Sequence, residues 1–299
     1  MLLRWLVTQY VRQAAQEKLR EVVVDTARQH LENQTGGGHS GGGRHEAGEA
    51  DEPFVCGGAV LFALGIEAGG LNDLLQQART SRGPGWKGTS GNLRGRSLLV
   101  AETGVGQSSA AEATRRLIDE FKPPWIVSTG FAGTLTPDIR RGGIVLVDNI
   151  VDEHGEQIDT GLAIDPATVS AARGVFMGRL LTVDRLVRRR EERARLAETY
   201  SADVCDMETM AVARVCRERG VRFLAVRIVS DGIDDAMPEE VEKLLDRPSL
   251  AGKLGIAAGA MFRRPSVVKD MWKLRETAIA TSDRLAKFLV GMIDQLPVE

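Results

Sequence analysis

The chain has 299 residues, 43% hydrophobic and 27% charged, with a formal net charge of −2. That length suits one large α/β domain or two small ones, and the balanced charge gives no electrostatic reason to expect a nucleic-acid partner. Cys56, Cys205 and Cys216 are odd in number and far apart, so they match neither a zinc spacing nor a disulfide framework and suit a reducing, cytoplasmic setting.

The opening MLLRWLV is interrupted by Arg4 and lacks a small-residue cleavage site, which argues against a signal peptide. No apolar run reaches the ~20 residues of a spanning helix. Residues 1–34 read as an amphipathic helix, with Leu3, Leu6, Tyr10 and Val11 at helical spacing. Residues 35–53, TGGGHSGGGRHEAGEADEP, read as a flexible glycine-rich linker. The helix is thus an appendage to a domain over 54–299. Its polar residues carry both signs of charge, which favours docking on the domain or on another subunit over a membrane-surface anchor.

From Gly57 the pattern changes. GGAVLFAL is a short buried strand, followed by a turn and a helical stretch. SLLVAE at 97–102 is a second strand, then TGVGQ and a helix through Ala110, Ala113, Leu117 and Phe121. WIVSTG at 125–130 is a third, ending in the turn GFAGTL. GIVLVDNIV at 143–151 and VFMGRLLTV at 175–183 are further strands. RLVRRREERARL at 185–196 alternates in sign and reads as an exposed helix. A helix over Cys205 to Arg219 and a strand, FLAVRIVSD, at 223–231 follow. The segment 244–275 is rich in small apolar residues, and the last helix is amphipathic through Leu285, Phe288, Leu289 and Ile293.

Near-continuous apolar strands alternating with helices imply a mostly parallel sheet flanked by helices. Ligands of such sheets sit beyond the carboxyl ends of the strands. Those ends carry Glu67, Thr103-Gly104-Val105-Gly106, Thr129-Gly130-Phe131-Ala132-Gly133 and Ser230-Asp231, with Asp206 and Glu208 near a helix start. Each has an ordinary structural explanation alone: a tight turn, a cap or a helix-dipole contact. Their coincidence at one end of the sheet points to a shared site. His154, in VDEHGE, reads as a loop residue, because consecutive residues rarely converge on one metal. TGVGQ lacks the full dinucleotide fingerprint. Neither a metal nor a cofactor is implied.

Four stretches in this order, ALGIEAGGL, ETGVGQSSAA, STGFAGTLTPDIRRGGIVLVD and CDMETMAVARVCRERGVRFLAVRIVSD, resemble the purine nucleoside phosphorylase and nucleosidase superfamily, nearest to the 5′-methylthioadenosine/S-adenosylhomocysteine nucleosidases. The resemblance covers about Cys56 to Asp235. It implies a three-layer phosphorylase/hydrolase-like α/β fold, a small-molecule nucleoside substrate and a homo-oligomer. It also implies roles. Asp231 is the general acid at adenine N7, and Ser230 positions it. Glu67 orients the attacking water. Glu208 grips the ribose hydroxyls and Met207 packs against the ribose. Thr103, Gly104, Phe131 and Gly133 line the substrate site.

Departures from the family pattern are Phe131 for a small polar residue, Leu186 where an aromatic stacks on the base, and Val183 for a glycine. Ser128 and Phe131 stand where a phosphorylase carries its phosphate-binding arginine and Ser or Thr. This favours hydrolysis over phosphorolysis, since only arginine offers a permanent bidentate fork. Arg140 and Arg141 read as a solvated pair. The 244–275 segment is similar to the C-terminal region of hopanoid-associated phosphorylases, which opens the alternative of a bulky or lipid-linked 5′-group. A non-catalytic nucleoside-binding protein is the remaining alternative, and three retained carboxylates argue against it.

Overall fold

In the computed structural model the described residues are 54–162, 169, 172–233 and 266–296, the last stretch with side chains from 276 onward. The expected helix over 1–34, the linker over 35–53 and most of the 244–275 segment lie outside them.

Ten strands form one sheet. They are β1 (Ala59–Phe62), β2 (Gln76–Gly83), β3 (Trp86–Leu93), β4 (Arg96–Glu102), β5 (Trp125–Thr134), β6 (Ile144–Asp152), β7 (Gln157–Asp159), β8 (Val175–Thr182), β9 (Val204–Asp206) and β10 (Arg222–Asp231). Among the described residues the helices with defined bounds are α1 (Gly65–Asn72), α2 (Gln107–Phe121), α3 (Arg190–Tyr200), α4 (Thr209–Arg219) and α5 (Ser266–Ile293). The strand order is β10-β6-β8-β9-β5-β1-β4-β3-β2, and β10 also pairs with β5. Strands β5, β10, β6, β8 and β9 therefore close into a ring.

The fold class matches the expectation, but the sheet is mixed. Pairs β1–β4, β1–β5, β5–β10, β6–β8 and β8–β9 are parallel. Pairs β2–β3, β3–β4, β5–β9, β6–β7 and β6–β10 are antiparallel. Much of the antiparallel share is the β2–β3–β4 meander, whose edge strand, QQARTSRG, is exposed along nearly its whole length.

Alternation along the strands sorts the core onto two faces. Val60 and Phe62 of β1 join Ala68 and Leu71 of α1 and Leu285, Leu289 and Ile293 of α5. Ala59 and Leu61 join Ala110, Ala113 and Leu117 of α2 and Val212 and Val215 of α4. Leu285 and Leu289 are fully buried, each contributing about 1.5–3 kcal/mol relative to an exposed side chain. The expected amphipathic last helix is thus the layer that covers α1 and the sheet.

Three boundaries differ from the sequence expectation in ways that shape the site. β5 continues through the expected GFAGTL turn to Thr134, because Gly130 takes φ 141°, which bends the strand without ending it. The helix expected from Cys205 begins only at Thr209, since Val204–Asp206 pairs as β9 with both β8 and β5. The charged segment over 185–196 does form a helix from Arg190, yet Arg193 and Leu196 are buried on its inner side.

Candidate active site

The strands deliver their carboxyl ends to one cleft. It is lined by Leu61, Phe62 and Ala63 after β1, Glu67 on α1, Thr103 after β4, Ser128 to Phe131 on β5, Glu208 and Val212 around the start of α4, and Arg227 on β10.

Glu67 sits inside the protein, 5% exposed. Its Oε2 accepts the Leu64 N–H at 2.9 Å and its Oε1 accepts the Phe131 N–H at 2.9 Å. The first contact closes the start of α1, and the second joins α1 to β5. A Cβ on Gly130 would stand 2.9 Å from Glu67 Oε1, so glycine here serves both the positive φ and the close approach of the carboxylate. Burial pushes the Glu67 carboxyl up to about 7, against the pull of those two N–H groups and the Arg227 charge.

Glu208 is the residue from which α4 starts, outside its first turn and in a non-helical conformation. Its Oε1 accepts the Gly106 N–H at 2.7 Å, tying α4 to the turn after β4. Burial first, and the charge of Asp206 second, push Glu208 up to about 8. Both carboxyls are therefore poised near neutral pH, where proton exchange with a reacting group is most effective.

Beneath them lies a buried ion pair. Arg227 Nη2 and Nε donate to Asp206 Oδ2 at 2.8 and 3.2 Å, with the side chains 3% and 1% exposed. Arg227 Nη2 also donates to Ser128 Oγ at 2.8 Å and to Thr209 Oγ1. Asp206 further accepts from Thr182 Oγ1 at 2.9 Å, from the Thr209 N–H at 3.0 Å and from the Thr209 hydroxyl. So many donors satisfy the lone pairs that a buried carboxylate must not leave open. Thr129, by contrast, has a buried hydroxyl with no partner among the described residues, and it lines the cleft.

Of the residues singled out by sequence, Glu67, Thr103, Phe131 and Glu208 meet in this cleft. Phe131 does so through its main chain, while its ring packs in the core on the α1–α5 face. Thr103 Oγ1 donates to main-chain carbonyls of Phe62 or Gly104, at 3.3 and 3.2 Å. Asp231 and Ser230 stand at the end of β10, four and three residues beyond Arg227, outside the residues lining the cleft. Ser230 Oγ donates to Asp231 Oδ2 at 2.9 Å. Pairing with β5 slips by one residue between Val229 and Asp231, so that Asp231 faces Gly133, a bulge of the kind that re-aims a side chain. Met207 is half-buried between Asp206 and Glu208. Gly104 takes φ 79° in the turn that presents Gly106 to Glu208.

The sequence placed Thr129 and Gly130 at a strand end and Asp206 near a helix start without a role, and Ser128 only at the position of a phosphorylase's arginine, and it did not show the pairing of Asp206 with Arg227. A lone arginine inside an apolar strand, FLAVRIVSD, was the available signal, because a buried cation requires an anion. Arg140 and Arg141 are exposed. His154 lies in a turn where the Asp152 carboxylate accepts its N–H at 3.0 Å.

The chain belongs to the phosphorylase superfamily, whose model matches residues 59–253. A curated relative, the 5′-methylthioadenosine/S-adenosylhomocysteine nucleosidase of Bacillus thuringiensis subsp. konkukian, is 27% identical over 214 residues, covering 64% of this chain and 93% of that protein. Among solved structures, the Helicobacter pylori 5′-methylthioadenosine/S-adenosylhomocysteine nucleosidase with butyl-thio-DADMe-Immucillin-A superposes with a TM-score of 0.62 at 19% identity, covering 82% of this chain and all (100%) of that one. The Helicobacter pylori futalosine hydrolase does so with 0.61 at 19%, covering 81% and 99%. These two likenesses show the fold.

Proposed function

We propose that this chain hydrolyses the N-glycosidic bond of an adenine nucleoside of the methylthioadenosine or S-adenosylhomocysteine type and releases adenine. The observation that carries the reading is the pair Glu67 and Glu208, two carboxyls facing one cleft with raised pKa values and, among the described residues, no uncompensated cation beside them. The curated relative supports the same chemistry.

In this mechanism the C1′–N9 electron pair leaves with the base, and Asp231 delivers a proton to N7. Ser230, bonded to Asp231 Oδ2, fixes the direction of that delivery. Glu208 accepts hydrogen bonds from the ribose hydroxyls and, once ionised, places negative charge near the cation that develops at C1′. Met207 packs against the ribose. Glu67 orients a water and takes its proton as the oxygen bonds to C1′. Thr103, Gly104, Phe131 and Gly133 shape the pocket, with Ser128 and Thr129 as further hydroxyls. No cofactor is needed.

Hydrolysis is favoured over phosphorolysis by the partner of Arg227. Among the described residues the one arginine lining the cleft is already neutralised by Asp206, and Glu67 and Glu208 would repel a phosphate dianion once ionised. The retained carboxylates argue against a non-catalytic binding protein. The reading extends to a cytoplasmic homo-oligomer acting in methionine salvage, with its catalytic domain over 54–299. Similarity of the 244–275 segment to hopanoid-associated phosphorylases makes bulky 5′-substituents worth including among test substrates.

The test is base release from methylthioadenosine, S-adenosylhomocysteine, adenosine and inosine, each with and without phosphate. Phosphate-independent adenine release, lost on Asp231→Asn, is the expected result. Release only with phosphate would replace the reading by phosphorolysis.

A further inference from the structure

The charged helix α3 carries a residue that the mechanism above leaves unused. Arg193 is 3% exposed. All four hydrogen-bond acceptors it has among the described residues are main-chain carbonyls. Nη1 donates to Thr134 O at 3.2 Å, to Gly232 O at 2.9 Å and, at 3.5 Å, to Asp231 O. Nη2 donates to Val187 O at 3.2 Å.

These carbonyls belong to three separate segments: the end of β5, the end of β10 and the loop that precedes α3. Register between β5 and β10 slips before Asp231 and their pairing ends there, so the carbonyls just beyond need donors from outside the ladder. Gly133, opposite Asp231, has no side chain in the way. A Cβ there would already lie 3.7 Å from Arg193 Nη2 and 3.5 Å from Cys205 Sγ, so a larger side chain would take the guanidinium's place. A guanidinium is suited to this task because its donors are fixed in one plane and its charge is permanent.

We infer that Arg193 is a positioning residue for the leaving-group acid, clamping the main chain at Asp231–Gly232 to the end of β5 and to the loop at Val187. The inference rests on the assignment of Asp231 as that acid. Ser230 sets the direction of the carboxyl group, and Arg193 sets where its backbone stands. A displacement of about 1 Å at such a group costs on the order of 10²-fold in rate.

The experiment compares wild type, Arg193→Lys and Arg193→Met in steady-state adenine release from methylthioadenosine, with adenine affinity measured by calorimetry on the same preparations. The methionine variant is expected to lose kcat by about 30- to 100-fold, with KM and adenine affinity within about threefold of wild type and partial recovery in added guanidinium ion. The lysine variant, which keeps the charge but not the planar fork, falls between them. A methionine variant with wild-type kcat overturns the inference. So does a loss of kcat matched by an equal loss of adenine affinity and unrelieved by guanidinium, which marks a merely structural role. Absence of adenine release from wild type itself overturns the hydrolase reading and this inference with it.

Discussion

Asp206 and Arg227 form an ion pair at 2.8 Å in which neither side chain is more than 3% exposed. The pair joins β9 to β10, and through Thr209 and Ser128 it reaches α4 and β5. Removing one partner strands a buried charge, which costs about 3–5 kcal/mol. Asp206→Asn and Arg227→Met should each lower the unfolding free energy, measured by urea titration, by that much. The double variant should lose less than the sum of the two, and a double-mutant cycle showing simple additivity would contradict the coupling.

Gly130 holds the Glu67 carboxylate against β5. Gly130→Ala places a methyl 2.9 Å from Glu67 Oε1 at a φ of 141°. The backbone strain alone is worth about 1–3 kcal/mol. Adenine release should fall by about 10²-fold as the carboxylate shifts. Equal activity in the alanine variant, measured beside its melting temperature, would remove Glu67 from the chemistry.

With its carboxyl raised to about 7 by burial, Glu67 can act as the proposed base only when ionised. The rate kcat/KM should therefore rise with pH through about 7 and level off only once Glu208, raised to about 8, is ionised as well. Glu67→Gln should abolish most of the rate and leave only the Glu208 part of that limb in what remains. An unchanged rising limb in Glu67→Gln would assign it to another group.

Glu208 makes a prediction about stability. Its folded pKa is raised from 4.5 to about 8, so the folded state holds a proton that the unfolded chain has released. The associated stability is fully present below pH 4.5 and is lost as pH rises through 8. Glu208→Gln keeps an oxygen for the Gly106 N–H and removes the charge. It should match wild type near pH 4 and be more stable at pH 9 by roughly 1–3 kcal/mol. Denaturant titrations at the two pH values measure this, and a variant less stable at pH 9 would contradict it.

The strands were legible because runs such as GGAVLFAL and SLLVAE are largely buried; β1 falls within the first, and β4 is the second extended by Arg96. The β2–β3 ribbon was not legible, since QQARTSRG is polar and exposed and carries no burial pattern. Glu67, Thr103, Phe131 and Glu208 could be brought to one site from the rule that strand ends form the ligand crevice. Arg193 could not, because RRREERARL reads as solvated. Its position was nonetheless encoded: Arg193, Leu196, Ala197 and Tyr200 are three, four and seven residues apart and form the inner stripe of α3. Thr209 as the first residue of α4 was hidden too, because Cys205 and Asp206 fit a helical pattern until pairing with β5 and β8 claims them for the sheet.

The most direct test of the central claim is to follow methylthioadenosine cleavage in 18O-labelled water containing phosphate, identifying the sugar product by mass. The account predicts free methylthioribose carrying one 18O, with adenine formed in equal amount and a rate indifferent to phosphate. A methylthioribose 1-phosphate product without the label would contradict it.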